Sequence, residues 1–172
     1  MCFDIMNAKS ELTWNDIRSP TMTPDDYLKL FSDKIKSNYK NYEPKKDILK
    51  QIIQFLISRN EKLKVVVLGA DWCPDCNKNV PRMIKIIKSI KNVAIEFKIL
   101  YGIMVNALHK PDEPLWHKAR SPPEAVDPKF DLKAIPTFYF FNSSGKLLDV
   151  IIENPRQNYT LEEEILSILK KN

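Results

Sequence analysis

The sequence predicts an α/β fold, and three patterns support that prediction. The apolar run at residues 63–69 is rich in β-branched residues and hardly alternates with polar ones, which is typical of a strand buried on both faces. Apolar residues at helical spacing follow this run, and a second strand-like run lies at residues 93–100. Further along, the aromatic run 138–141, a turn at Gly145 and the run 147–152 predict a hairpin, which precedes an amphipathic helix at 159–170.

Length, charge and cysteine content limit the class of protein. The 172 residues suit one domain with an addition, and the net charge of +5 comes from lysines spread along helical segments. We therefore expect a solvated surface rather than a basic face for acidic proteins, and no nucleic-acid partner. Three cysteines are too few for a secreted disulfide scaffold, and the sequence predicts neither a signal peptide nor a membrane span. A cytoplasmic location is therefore the expectation.

Helical patterns are predicted ahead of the first strand. Thr23 is a helix cap followed by Pro24 and two acids, and apolar residues continue at helical spacing to Tyr39. Pro44 ends that stretch, and a second amphipathic helix is expected at residues 45–59. The first 20 or so residues show no clear period, so they are either a loose arm or a strap on the core.

These patterns divide the chain into an N-terminal arm with a helical extension, residues 1–44, and a second unit, residues 45–172. Within the second unit, residues 101–129 hold five prolines, Trp116 and both histidines. We expect this insertion to be irregular, with one short helix. It either walls one side of the functional site described next or is a surface elaboration packed by Trp116.

The candidate functional site is the Cys73-Pro74-Asp75-Cys76 segment, which lies between a predicted buried strand and a predicted helix. The free N–H groups and the positive end of the dipole at a helix N-terminus stabilise a thiolate. We therefore expect Cys73 to be the attacking sulfur and Cys76, one helical turn on, to be the resolving thiol. Pro74 suits the first helical turn, where no N–H is needed.

Two other interpretations of this cysteine pair stay open. The pair is half of a zinc site if His109 and His117 supply the other ligands, although that histidine spacing is unusual and no second CxxC is present. Alternatively, both cysteines are buried and have no chemistry. Cys2 is expected to be an exposed, incidental thiol, with a second disulfide as the alternative.

Two motifs resemble the thioredoxin superfamily. Residues 65–83 are similar to its active site, namely an apolar strand, Trp72-Cys73-x-x-Cys76 and a helix that contains Pro81. Residues 134–137, Ala-Ile-Pro-Thr, resemble its cis-proline loop. The resemblance covers about residues 45–172. It implies a thioredoxin fold, which is a central mixed β-sheet flanked by helices, here with an N-terminal helical extension and an insertion before the cis-proline loop.

The resemblance also implies roles for neighbouring residues. Pro136, if cis, holds the backbone of Ile135 beside Cys73, where it can pair with an extended substrate segment. Trp72 either shields the dithiol and contacts substrate or simply packs. Residues 71–81 look most like a prokaryotic thioredoxin-like group with an N-terminal helical extension, and the Tyr-rich segment 27–42 is similar to that extension. Cytosolic thioredoxin-related proteins with a similar insertion are the alternative.

One departure from the family concerns proton transfer. The buried Asp that usually precedes the site is replaced by Val67, and Lys98 lies at the position of that Asp's usual lysine partner. Asp75 either substitutes for the missing carboxylate or opposes thiolate formation by repulsion between like charges.

The function that these patterns and the resemblance predict is thiol–disulfide exchange, without a cofactor or metal. We expect a reductase of protein or small-molecule disulfides that acts through Cys73 and Cys76 and is reset by an electron donor such as a thioredoxin reductase. The alternative is a non-enzymatic binding module of the same fold, in which the dithiol is vestigial or regulatory.

Overall fold

The computed structural model describes residues 11–31, 33–91 and 93–172, so Cys2 lies outside the described residues. The described chain forms five helices and four strands, with a 3-10 turn at Trp14–Asp16 and another at Pro123–Ala125. The helices are α1 (Pro24–Leu30), α2 (Asp33–Asn41), α3 (Lys46–Ser58), α4 (Pro74–Ser89) and α5 (Leu161–Lys171), and the strands are β1 (Leu63–Leu68), β2 (Ile95–Leu100), β3 (Thr137–Phe141) and β4 (Leu147–Ile152).

The four strands form one mixed sheet in the order β2-β1-β3-β4. Strand β1 is parallel to β2 and antiparallel to β3, and β3 and β4 form the antiparallel hairpin. The residues Val65–Leu68 of β1 and all five residues of β3 are buried, which explains why their sequences do not alternate. Helices α3 and α5 pack against each other, and α2 packs against α4. This arrangement confirms the predicted fold class.

The helical stretch expected after Thr23 is two helices rather than one. Thr23 caps α1 as predicted, because its side-chain oxygen accepts a hydrogen bond from the backbone N–H of Asp26 at 3.2 Å. The helix ends at Phe31, whose backbone is extended. Its ring packs 4.6 Å from that of Tyr27 and 5.6 Å from that of Tyr101, so aromatic packing accompanies the break in the helix.

Residues 11–22 are a strap on the core. The backbone N–H of Trp14 donates to the carbonyl of Gly145 at 2.9 Å, and the Trp14 ring packs edge-on against Phe141. Met22 and Ile99 exchange two backbone hydrogen bonds of 2.8 and 3.0 Å, which attach the strap to the outer edge of β2. Gly145 has a φ of +85°, and a Cβ there would lie 3.1 Å from that of Trp14, so this turn suits glycine.

A buried glutamate of the insertion holds the strap. Glu124 accepts hydrogen bonds from the backbone N–H groups of Arg18 and Ser19, both at 2.8 Å, and from the Ser19 hydroxyl at 2.6 Å. Burial of Glu124 by itself would raise its pKa, but the hydrogen bonds from Ser19 and Arg18 outweigh that effect and lower it. The carboxylate therefore joins the strap to the insertion in its ionised form.

We predict that Glu124→Gln lowers the free energy of unfolding by about 1–2 kcal/mol at neutral pH, because the hydrogen bonds to a charged acceptor are weakened. The folded pKa of Glu124 lies below its ordinary value of 4.5, so its contribution is complete above that value and is lost as the pH falls through the folded pKa. Urea unfolding of both proteins at neutral and acidic pH measures this. The exposed Glu113→Gln variant is the control, and a difference that persists at acidic pH would contradict the prediction.

The extension also supports α4 where Pro81 interrupts it. Pro81 has no N–H, so the carbonyl of Asn77, four residues earlier, has no helical donor. The side-chain amide of Asn38 in α2 donates to that carbonyl at 3.0 Å. The extension thus supplies a hydrogen bond that the proline removes from the helix.

A double-mutant cycle tests whether the side-chain amide of Asn38 replaces the backbone N–H that Pro81 lacks. Asn38→Ala should lower the free energy of unfolding by about 1 kcal/mol in the natural chain, because the partly buried carbonyl loses its donor. In a Pro81→Ala background the cost should be markedly smaller, since the backbone N–H of the new alanine reaches the Asn77 carbonyl. Denaturant unfolding gives the four values, and Asn41→Ala on the exposed side of α2 is the matched control. Equal costs in the two backgrounds would refute the interpretation.

None of the helices in the described ranges is long and apolar enough to cross a membrane. The proposed division of the chain between residues 44 and 45 stays a prediction.

Candidate active site

The dithiol lies where β1 leads into α4. Strand β1 ends at Leu68, and Cys73 is the N-cap of α4, with an extended backbone and with Pro74 at the first helical position. The fold therefore places Cys73 at the helix N-terminus, as the sequence predicts. The side chain of Cys73 is 5% exposed, whereas that of Cys76 is fully buried, so only Cys73 is open to an incoming molecule.

Three groups surround the sulfur of Cys73. The backbone N–H of Cys76 donates to the Cys73 Sγ at 3.2 Å, which is the capping hydrogen bond of α4. The Cys73 thiol in turn donates to the carbonyl of Ile135 at 3.4 Å. The Cys76 side chain is also hydrogen-bonded to Cys73, and both thiols are free of disulfides. A thiolate at Cys73 would keep the donors from Cys76 and lose only the contact with the carbonyl.

These contacts separate the acidities of the two cysteines. The hydrogen bond from the Cys76 thiol lowers the pKa of Cys73 to about 7, helped by the backbone N–H groups of Cys76 and Asp75 and opposed by burial and by the Asp75 carboxylate. The same hydrogen bond and deep burial raise the pKa of Cys76 far above its ordinary value. Near neutral pH the Cys73 thiol is therefore partly ionised, whereas Cys76 keeps its proton.

The loop opposite the dithiol is held from two sides. Its Ile135–Pro136 peptide bond is cis, and the carbonyl of Pro136 accepts a 2.6 Å hydrogen bond from the backbone N–H of Glu153. The buried amide of Asn79 on α4 donates to the carbonyl of Glu153 at 2.8 Å and to the side-chain oxygen of Asn154 at 2.9 Å. This chain of hydrogen bonds fixes the separation between α4 and the loop that contacts Cys73.

Trp72 lies at the mouth of the site. Its side chain is 46% exposed, and its indole N–H donates to the carbonyl of Ile103 at 2.9 Å. Trp72 therefore both faces solvent and joins the site to the insertion. Asp75 is half-buried in the first turn of α4, and Pro74 beside it is exposed.

At the position where the superfamily usually has a buried aspartate, the structure has the apolar side chain of Val67. Val67 is fully buried between Ile99 and Phe138, its partners in the neighbouring strands. Lys98 pairs with Val66, so it lies on the opposite face of the sheet from Val67, contrary to its expected placement beside that position. The Lys98 ammonium is 3.8 Å from Glu96 and 4.8 Å from the centre of the Trp14 ring.

Two phenols lie in the interior beside Cys76. The hydroxyls of Tyr27 and Tyr101 are 3.1 Å apart, and their rings meet edge-on. A Cβ on Gly69 would lie 2.9 Å from the Tyr101 ring and 3.0 Å from the Cys76 Sγ, so the glycine lets ring and sulfur share this space. Burial raises the pKa of both phenols, which keeps them neutral.

The described residues do not assemble the ligands that the zinc interpretation needs. No group of three or more His, Cys, Asp and Glu side chains in the described ranges lies close enough to hold a metal ion. The His109 ring is exposed and hydrogen-bonded to the carbonyl of Asn106 at 2.9 Å.

Three supporting residues were not found from the sequence. Asn79 falls among the buried positions of α4, so a polar residue in the apolar register was the available signal. In the sequence, Tyr27 fits an apolar position of a helix and Tyr101 begins the insertion. No local pattern joins two residues so far apart in the chain. The predicted site residues Cys73, Cys76 and Ile135 do meet, with Trp72, Pro74, Asp75 and Pro136 around them.

Comparisons with known proteins agree with this architecture. A family model described as Thioredoxin matches residues 21–101. A solved structure of a protein of unknown function from Pseudomonas aeruginosa is similar, with a TM-score of 0.63, 16% identity, and coverage of 93% of this chain and 98% of that one. An HIV epitope scaffold is similar too, with a TM-score of 0.62, 16% identity, and coverage of 94% and 99%. No curated protein matches the sequence.

The mixed sheet, the helix that begins at a CxxC pair and the family match define a thioredoxin-fold protein. The family match over residues 21–101 supports a place in the thioredoxin superfamily.

We predict that Cys73 titrates near pH 7 and that Cys76→Ala moves this midpoint upward, because the variant removes the thiol that donates to Cys73. The rate of iodoacetamide alkylation against pH measures the midpoint. Both proteins should carry Cys2→Ser, so that the third cysteine does not contribute. A midpoint near the ordinary value of 9.0 in the protein that keeps Cys76, or no shift in the variant, would contradict this account.

Proposed function

We propose that this protein is a thiol–disulfide oxidoreductase that reduces disulfides through Cys73 and Cys76. The observation that carries the proposal is the difference between the two sulfurs. Cys73 keeps a small exposed area and has a lowered pKa, whereas Cys76 is fully buried, protonated and hydrogen-bonded to it. A nucleophile and a resolving thiol need these two environments.

The proposed reaction has two steps. The Cys73 thiolate attacks one sulfur of the substrate disulfide, which forms a mixed disulfide and releases the other sulfur as a thiolate that takes a proton from water. Cys76 then loses its proton and attacks the Cys73 sulfur, which forms the Cys73–Cys76 disulfide and releases the second substrate thiol. The substrate gains two electrons and two protons. The dithiol loses two electrons and the Cys76 proton, which passes to the second substrate thiolate, while the first proton comes from water and equals the one that Cys73 gave up when it ionised.

The Ile135–Pro136 loop is proposed to position the substrate. The Ile135 carbonyl lies 3.4 Å from the Cys73 sulfur, so an extended segment that reaches this sulfur passes alongside the loop backbone. Backbone pairing of that kind would orient a substrate without demanding a particular sequence. In this proposal Pro136 has the function of the superfamily's cis-proline.

The direction and surroundings of the reaction are part of the proposal. We place the protein in the cytoplasm, where thiols are kept reduced, and we infer that an electron donor of the thioredoxin-reductase kind restores the dithiol. The match that begins at residue 21, ahead of β1, supports assignment to the thioredoxin-like group with an N-terminal helical extension.

The second candidate function is a non-enzymatic binding module. The apolar Val67 favours it, because the buried carboxylate that usually accepts the proton of the resolving thiol is absent at that position. On this alternative, the dithiol is vestigial or only regulates binding.

A trapping experiment decides between the two functions. Cys76→Ser leaves Cys73 able to attack but removes the resolving thiol, so we expect stable mixed disulfides with proteins in a cell lysate. The Cys73→Ser, Cys76→Ser double variant is the control and should trap nothing. Insulin reduction by the unaltered protein, with dithiothreitol as reductant, should exceed the rate with dithiothreitol alone, and Cys73→Ser should abolish that excess.

Neither mixed disulfides nor insulin reduction would be found if the binding module were correct. Turnover that survives Cys73→Ser would equally refute the proposed mechanism.

A further inference from the structure

We propose that the insertion forms a docking surface for the apolar residues that flank the disulfide of a polypeptide substrate. This inference rests on the proposed thiol–disulfide exchange and names the class of substrate. The surface, called here the apolar hairpin surface, consists of Trp72 and three side chains of residues 103–117, namely Met104, Leu108 and Leu115.

Residues 103–117 form a short hairpin within the insertion. Val105 and Trp116 are paired in an antiparallel bridge. The backbone N–H of Asn106 donates to the carbonyl of Leu115 at 2.7 Å, and that of His117 donates to the carbonyl of Met104 at 2.7 Å. Part of the insertion that was expected to be irregular therefore has a defined shape.

The hairpin is attached beside the dithiol. The backbone N–H of Ile103 donates to the carbonyl of Gly69 at 3.4 Å, and the Ile103 carbonyl accepts the indole N–H of Trp72, next to Cys73 in the chain. On the other strand, the buried Trp116 donates its indole N–H to the carbonyl of Leu132 at 2.7 Å. Both strands of the hairpin are thus anchored to the core.

Apolar side chains are exposed on this hairpin to an unusual degree. Of the nine large hydrophobic side chains that are exposed in the described ranges, four belong to the apolar hairpin surface. Leu108, near the tip, is 90% exposed. Because apolar area in water is unfavourable, a concentration of such residues at one place indicates a surface that another molecule covers.

The position of the reacting sulfur indicates which molecule that is. A disulfide that reacts at Cys73 lies between the Ile135 loop and Trp72, so the residues on one side of that disulfide extend over Trp72 toward the hairpin. The charged residues of the hairpin turn, Lys110, Asp112 and Glu113, are of both signs, so charge does not select the partner. The partner is instead selected by the burial of its apolar side chains on this surface. Such burial favours unfolded or flexible segments with large apolar residues.

The test measures binding separately from turnover. Two fluorescein-labelled peptides without cysteine have equal length and charge, and one carries leucine and phenylalanine where the other carries serine. Fluorescence anisotropy gives the affinity of each peptide for the unaltered protein, for the triple variant Met104→Ser, Leu108→Ser, Leu115→Ser, and for Ile57→Ser. Ile57 is a matched control, because it is 59% exposed and lies near the start of β1, about 20 Å of strand away from the dithiol.

We expect the apolar peptide to bind the unaltered protein and Ile57→Ser more tightly than the serine peptide does, and its affinity to fall by about fivefold or more in the triple variant. Circular dichroism should show the same melting profile for the three proteins, and the single variant Leu108→Ser, at a fully solvated tip, gives the same comparison if the triple variant folds poorly. Equal affinity for the two peptides, or an equal loss in Ile57→Ser, would overturn the proposal.

Insulin reduction by the unaltered protein is measured alongside and tests the exchange chemistry alone. Peptide selectivity without turnover would refute the oxidoreductase and leave an apolar docking surface, which overturns the substrate assignment. Turnover without selectivity would refute the docking surface and leave the oxidoreductase.

Discussion

The hydrogen bonding between Cys76 and Cys73 at the start of α4 is the interaction on which the rest of the site depends. The backbone N–H and the thiol of Cys76 both donate to the sulfur of Cys73. That sulfur therefore ionises at a lower free-energy cost than the sulfur of an isolated cysteine. That geometry exists only because β1 delivers the chain to the helix N-terminus at Cys73. The position of the helix end, through the hydrogen bonds that it allows between Cys76 and Cys73, gives the two sulfurs different chemistry.

The N-terminal extension and the insertion both make contacts close to this helix end. The extension supplies Asn38 to the interrupted turn of α4 and Tyr27 to the interior beside Cys76. The insertion is joined to Trp72 through Ile103 and to the strap through Glu124. Neither addition is peripheral, because each donates or accepts a hydrogen bond within one or two residues of the dithiol or of the helix that carries it.

The sequence alone predicted the strands, most helices and the fold class, because burial on both faces of β1 and β3 and the amphipathic spacing of α3, α4 and α5 are local patterns. The N-terminal position of Cys73 followed from the same patterns. Contacts between distant residues did not, since neither periodicity nor composition records that Tyr27 meets Tyr101 or that Asn38 reaches Asn77. The break at Phe31 was missed for the same reason, because its ring packs against a residue 70 positions away.

The placement of Lys98 shows a second limit. A motif predicts the position of a residue along the chain, but the strand register decides on which face of the sheet its side chain lies. Lys98 pairs with Val66 rather than with Val67. Its ammonium then interacts with Glu96 and Trp14 on the side of the sheet covered by the strap.

The strap reduces the free backbone groups at one edge of the sheet, which are the groups that another chain could pair with. Strand β2 is an edge of the sheet, and an edge strand offers a row of free N–H and carbonyl groups to any extended chain that approaches it. Met22 uses the outward N–H and carbonyl of Ile99, near the C-terminal end of that row. An incoming strand therefore finds this end of the row already occupied, and the segment ahead of α1 shortens the free edge that β2 offers.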